Sequence, residues 1–124
     1  MCKSDRELLG LAVKAAGLQL CGYSWVGENE DDEECEILES AFVKRHKEQG
    51  LATKWNPLTD DGDALRLAVK LGIHIRHWVY ACEAEDNDGR STGMIHAREC
   101  SGDMGAATRV AIVRAAAAIG EAIQ

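Results

Sequence analysis

The chain has 124 residues, 46% of them hydrophobic, and a formal net charge of −7. That length suits one domain with a buried core, and the apolar content argues against wholesale disorder. No apolar run approaches the roughly 20 residues that a membrane span needs, and the acidic balance argues against direct binding to nucleic-acid phosphates, which calls for a basic face.

The charge is not spread evenly. Of the 21 acidic residues, eight fall between Glu28 and Glu39 with no basic residue among them, which leaves 13 against 14 basic ones elsewhere. The sequence therefore reads as a balanced domain carrying one acidic block. Cys2, Cys21, Cys35, Cys82 and Cys100 are odd in number and widely spaced, with no Cys-x-x-Cys pair, so they are expected as reduced thiols. No signal-peptide hydrophobic region follows Met1, and the expected location is the cytoplasm.

In chain order, Ser4-Asp5-Arg6-Glu7 reads as a capping box that opens a first helix. Leu8, Leu9, Leu11, Ala12, Ala15 and Ala16 supply its apolar face, and Gly17 is placed to end it. Residues 18–26 read as a strand with an irregularity at Gly22, followed by a polar connection over 27–32. From about Glu33 to Gln49, Ile37, Leu38, Ala41 and Phe42 fall at helical spacing, with acids early and Lys44, Arg45, His46 and Lys47 late. That polarity complements a helix dipole and predicts a short helix, with a strand over Ile37–Val43 as the competing assignment.

A short strand over 51–55 leads to Asn56-Pro57, where the chain turns. Asp60 is the expected N-cap of a central helix, with Asp61 and Asp63 in its first turn. Ala64, Leu65, Ala68, Val69 and Leu71 form the expected buried stripe, ended by Gly72. Ile73 to Cys82 alternates as one strand, with Ile73, Ile75, His77, Val79 and Ala81 on one face and His74, Arg76, Trp78, Tyr80 and Cys82 on the other. Asp88-Gly89 marks a hairpin tip, and Arg90 to Arg98 returns as the antiparallel partner. Asp103 caps a last helix over Met104–Ala122 with Val110, Val113, Ala117 and Ile119 on its face. Ala115 to Ala118 allow close backbone approach to the sheet.

Three stretches carry a family likeness. They are Ser4 to Leu9 with Ala15-Ala16-Gly17, then Trp55-Asn56-Pro57-Leu58-Thr59-Asp60-Asp61-Gly62-Asp63-Ala64-Leu65-Arg66-Leu67-Ala68 through Gly72, and Ala107 to Ala117. On these the chain resembles the phage ABA sandwich domain, a family of small proteins of tailed phages and prophages. The likeness covers about half the chain and departs from the family's pattern over residues 28–50. It implies a helix–sheet–helix layered fold and a phage or prophage origin. No activity and no catalytic residue come with it.

Candidate chemistry is weighed against packing roles. Asn56, Asp60, Asp61 and Asp63 supply hard oxygens for a cation, but without EF-hand spacing, and a helix cap accounts for the same acids. His74, His77, Cys82, His96 and Cys100 suggest zinc, but His74 and His77 fall on opposite strand faces and no pair has zinc-finger spacing. No cysteine lies in a nucleophile elbow or at an evident helix N-terminus, and there is no phosphate-binding glycine loop. Trp55 is expected in the core. Trp78 and Tyr80, beside Arg76, are interface-type residues.

The expected fold is α+β: a layered helix/sheet sandwich with a small, mainly antiparallel sheet and three to four helices. It forms a single domain over residues 1–124 with an acidic insertion at about 28–50. The expected function is a non-enzymatic phage accessory protein that binds another protein, in its sharp form an inhibitor of a host defence system such as an anti-CRISPR. Glu30, Asp31, Asp32, Glu33, Glu34, Glu36 and Glu39 would meet basic groups of a nucleic-acid-binding partner, with Trp78 and Tyr80 as apolar anchors. No cofactor, metal, direct nucleic acid or membrane is expected. The alternatives are a small metal- or thiol-dependent enzyme of phage nucleotide or DNA metabolism, and a homo-oligomeric structural module.

Overall fold

Three α-helices and six short strands follow one another in the computed structural model, which describes residues 5–26, 37–44 and 53–123. Helix α1 (Asp5–Ala16) buries Leu8, Leu9, Ala12, Val13 and Ala16. It stops where Gly17 takes φ 71°, and the amide of Leu18 then donates to the Val13 carbonyl. Strand β1 (Gln19–Val26) runs antiparallel to β2 (Ile37–Lys44), and β2 pairs in turn with β3 (Thr53–Trp55). The β1–β2 register slips between Leu20 and Gly22, at the irregularity that Gly22 predicts, and again between Ser24 and Trp25.

The helix expected over 33–49 is therefore corrected across its described part: residues 37–44 are strand β2. Ile37, Leu38, Ala41 and Phe42 fit a helical spacing, but Ile37, Phe42 and Val43 also favour a strand, and pairing on both sides decides for it. Ser4 of the capping box, the connection over 27–32, and Cys2 and Cys35 lie outside the described residues.

Helix α2 (Asp61–Leu71) starts on its Asp60 cap, whose carboxylate accepts from the Asp63 amide at 2.8 Å. It ends at Gly72 (φ 66°), whose amide reaches back to the carbonyls of Ala68 and Val69. Its buried residues are Ala64, Leu67 and Ala68, with Leu71 partly covered. Leu65 and Val69, expected in that stripe, face solvent at 62% and 73% exposure.

The second sheet holds β4 (His74–His77), β5 (Ala81–Glu85) and β6 (Ile95–His96), all antiparallel with β5 central. The single strand expected over 73–82 is thus two strands, folded back at Trp78–Tyr80. The return strand expected over 90–98 shortens to Ile95–His96, followed by one turn of 3-10 helix over Ala97–Cys100. Glu99 directs that turn, because its carboxylate accepts from the His96 amide at 2.8 Å. Asp88-Gly89 sits in a loop between β5 and β6 as expected, closed by the Glu85–Ser91 bridge.

Helix α3 (Met104–Ala122) starts on its Asp103 cap, which accepts from the Ala106 amide at 3.1 Å. It is buried on two sides. Ala107, Ala111 and Ala115 pack on Cys82, Ala84 and Ile95 of the second sheet. Ile112, Val113, Ala116 and Ala117 pack with α1, α2, Val43 of β2 and Trp55 of β3. Small side chains on both flanks let two layers approach one helix closely. The fold is α+β, a layered helix/sheet sandwich. Its contacts run first sheet, α1, α3, second sheet, so among the described residues the helices lie between the sheets. This order differs from the helix–sheet–helix layering that the family likeness implies.

Candidate functional site

The β4–β5 hairpin carries the most exposed large side chains of the second sheet: Trp78 at 48%, Val79 at 76% and Tyr80 at 76% exposure. The pair His77–Cys82 fixes the register, and the Trp78 amide donates to the Ala81 carbonyl at 2.8 Å. Val79 and Tyr80 are therefore the two tip residues. Tight hairpin tips usually take Gly, Asn or Asp at positive φ. Here both residues keep negative φ, since Ser101 is the one described non-glycine residue with positive φ. Turn geometry gives no reason for a valine and a tyrosine at this place.

The tip is also held from its other side. The Ala97 amide, at the start of the 3-10 turn, donates to the Tyr80 carbonyl at 2.7 Å. Tip residues fixed by backbone bonds have less freedom to lose when a partner covers them, so a contact there keeps more of its binding energy.

Behind the tip the two faces of the sheet differ. On the outer face, Arg76 reaches Glu83 at 3.3 Å and Glu85 at 3.2 Å across the strand pair, and His74 stands opposite Glu85. On the inner face, Thr108 of α3 links His77 and Cys82, two of the residues weighed above as zinc ligands. Its hydroxyl donates to the Met104 carbonyl one turn back at 2.7 Å and lies 2.8 Å from His77 Nε2, and the same side chain is hydrogen-bonded with Cys82. Cys82 is fully buried, and burial raises its thiol above the ordinary range; the Thr108 bond lowers it by less, and Cys100 adds to the rise. A thiol held neutral is a poor nucleophile.

Iodoacetamide at pH 8 is accordingly expected to leave Cys82 unmodified in the folded chain and to modify it after unfolding, as read by peptide mass spectrometry. The sign for stability follows. The unfolded thiol ionises from about pH 8.5 while the folded one stays protonated. This contribution is therefore complete below that pH and is lost as pH rises toward the raised folded value.

Asn56, Asp60, Asp61 and Asp63 each use a side-chain oxygen in a bond within the chain. Asn56 Oδ1 accepts from the Leu58 amide at 2.9 Å, and Asp63 accepts from the Asn56 amide at 3.0 Å and from Arg66 at 2.7 Å. Arg109 of α3 donates to the Leu58 carbonyl at 2.9 Å and pairs with Asp61. These bonds tie the turn to α2 and α3, which is the cap role expected of the acids. Among the described residues, no three His, Cys, Asp or Glu side chains are arranged to hold a metal ion.

Of the expected partner-binding residues, the structure brings Trp78 and Tyr80 together at one tip, with Val79 between them. Val79's place beside them was not legible, because an alternating strand sets it on the face opposite Trp78 and Tyr80. Cys82, placed with Trp78 and Tyr80 in that pattern, instead shares the inner face with its partner His77. Trp55 is buried as expected. Glu30, Asp31, Asp32, Glu33, Glu34 and Glu36 lie outside the described residues. Glu39 lies on β2 at the second register slip, between the pairs Ser24–Ser40 and Trp25–Leu38.

Fold and surface together define a small α+β domain with an apolar hairpin tip. No family model, curated protein or solved structure matches the chain. Among the described residues no helix is long and apolar enough to cross a membrane.

Proposed function

We propose that the chain is a non-enzymatic phage accessory protein, which acts in the bacterial cytoplasm by binding another protein. The observation that carries this reading is the fixed, solvent-facing Trp78-Val79-Tyr80 tip. Trp and Tyr dominate the few residues that supply most interface energy, and a turn that needs neither is an expensive place to expose them. The acidic block supplies the second part of the reading. Glu30, Asp31, Asp32, Glu33, Glu34, Glu36 and Glu39 raise the rate of encounter with a basic groove, and the tip supplies apolar anchoring. A nucleic-acid-binding complex of host defence offers such a groove, and the protein would act there as an inhibitor of the anti-CRISPR type.

The test is capture of partners from bacterial lysate by the tagged protein, by a Trp78→Ala/Tyr80→Ala variant and by a variant with Glu30 to Glu36 reversed to lysine. A captured protein should lose at least about thirty-fold in affinity with the tip variant, as for anchor residues elsewhere. It should also bind less well in high salt and with the reversed block. Equal binding by all three proteins would overturn the reading. Unchanged thermal unfolding of the tip variant separates a lost contact from a lost fold.

A further inference from the structure

We propose that Thr108 is the positioning residue of the Trp78-Val79-Tyr80 tip: from α3 its side chain holds both feet of the hairpin, His77 and Cys82, and so sets the shape that a partner meets. This rests on the binding role given to the tip above and names what fixes that site from inside the domain.

The hairpin does little to hold its own end. Among the described residues, one backbone bond closes the tip, from the Trp78 amide to the Ala81 carbonyl. Pairs along an antiparallel ladder alternate between hydrogen-bonded and non-hydrogen-bonded. His77–Cys82, the next pair down, is therefore of the second kind, and no backbone bond joins the two strands there. The next such bonds belong to Arg76–Glu83. Val79 and Tyr80 also lack the positive φ that fits a tight turn to the twist of its strands. The hold on this end comes from outside β4 and β5.

A non-hydrogen-bonded pair brings its two side chains closest together, which lets one group reach both. Thr108 Oγ1 lies 2.8 Å from His77 Nε2, and the same side chain is hydrogen-bonded with Cys82. Thr108 is itself fixed, by its bond to the Met104 carbonyl and by a helix buried on two sides. His77 directly precedes Trp78, and Cys82 follows Tyr80 by two positions, so the two bonds bracket the tip. The Ala97 amide on the Tyr80 carbonyl is a third point of attachment. Three attachments leave the tip little freedom to lose when a partner covers it.

Hydrogen exchange of single amides in the folded chain, read by NMR, is the test. Thr108→Val keeps the branched shape and removes the hydroxyl, whereas Thr108→Ser keeps the hydroxyl. The bonded amides of Trp78 and Ala97 report on the tip. Those of Asp88 and Arg90, held by Asp86 at the far end of β5, report on the sheet away from Thr108. Thr108→Val should speed exchange at Trp78 and Ala97 about tenfold and leave Asp88 and Arg90 unchanged, while Thr108→Ser stays within about twofold of the parent. Unchanged exchange at the tip overturns the proposal. So does an equal rise at all four amides, which is a general loss of stability, or a serine variant as fast as the valine one. These readings need no partner. A captured protein whose binding depends on Trp78 and Tyr80 should bind Thr108→Val about fivefold less tightly and Thr108→Ser as tightly as the parent. If it binds the valine variant as tightly as the parent, the positioning role falls while the binding role of the tip stands.

Discussion

Replacing Gly120 by alanine is expected to destabilise the fold by about 3 kcal/mol, at the upper end of what overpacking costs. A Cβ built there would lie 2.1 Å from the Leu11 carbonyl oxygen and 2.8 Å from its carbon. These are backbone atoms of α1, so no side chain can swing aside to relieve the contact. Helices α1 and α3 must separate, which opens the seam that holds Ala12, Ala16, Ala116 and Ala117. The sign is informative, because alanine is favoured over glycine in a helix by about 1 kcal/mol when nothing else intervenes. Gly105→Ala is the matched control. Its Cβ would meet side-chain ends alone, the Asp103 carboxylate at 3.2 Å and the Arg109 guanidinium at 3.4 Å, so it should cost far less than Gly120→Ala. Urea unfolding of both variants reads the difference directly.

The second large effect is expected at Asp86, a buried carboxylate at 4% exposure in the loop after β5. Its Oδ1 accepts from the amides of Asp88 and Arg90, each at 2.9 Å, while Oδ2 pairs with Arg90 Nε at 3.1 Å. Asp86→Ala removes every acceptor at once and should cost about 2 kcal/mol. Asp86→Asn keeps an oxygen for the two amides and loses only the ion pair with a half-exposed arginine, worth about 1 kcal/mol or less. The order alanine worse than asparagine is the result to look for, with faster hydrogen exchange at Asp88 and Arg90 in the alanine variant. Asn87 of this loop abuts Gly72 at the end of α2, so loosening the loop should also raise exchange in the last turn of that helix.

Where local chemistry is decisive, the sequence was readable. Gly17 and Gly72 end helices in left-handed geometry, and Asp60 and Asp103 begin them by capping. Each of these is settled by a few neighbouring atoms. Residues 37–44 became a strand because pairing with β1 and β3 lies elsewhere in the chain. On α2 the positions Ala64, Ala68 and Leu71 belong both to the stripe with Leu65 and Val69 and to the stripe with Leu67. Only the neighbours Trp55 and α3 choose between them. The turn at Val79-Tyr80 carried no Gly, Pro, Asn or Asp, so alternation appeared to run on through it, and the true face of Cys82 was hidden. Trp78 and Tyr80 were legible as interface-type residues by their chemistry. Their shared tip, and the Thr108 link between His77 and Cys82, come from tertiary contacts that no local spacing encodes.

The two-sided burial of α3 has a consequence for how the chain is made. Leu11 meets Gly120 across 109 positions of sequence, and the second sheet lies against the same late helix. While a ribosome is still adding residues before Met104, α1 lacks its most extensive neighbour and Cys82, Ala84 and Ile95 lack the helix that covers them. Neither half can close early and wait for the other. Both cores form together once α3 has emerged, so the domain assembles after translation of its last helix rather than piece by piece during it.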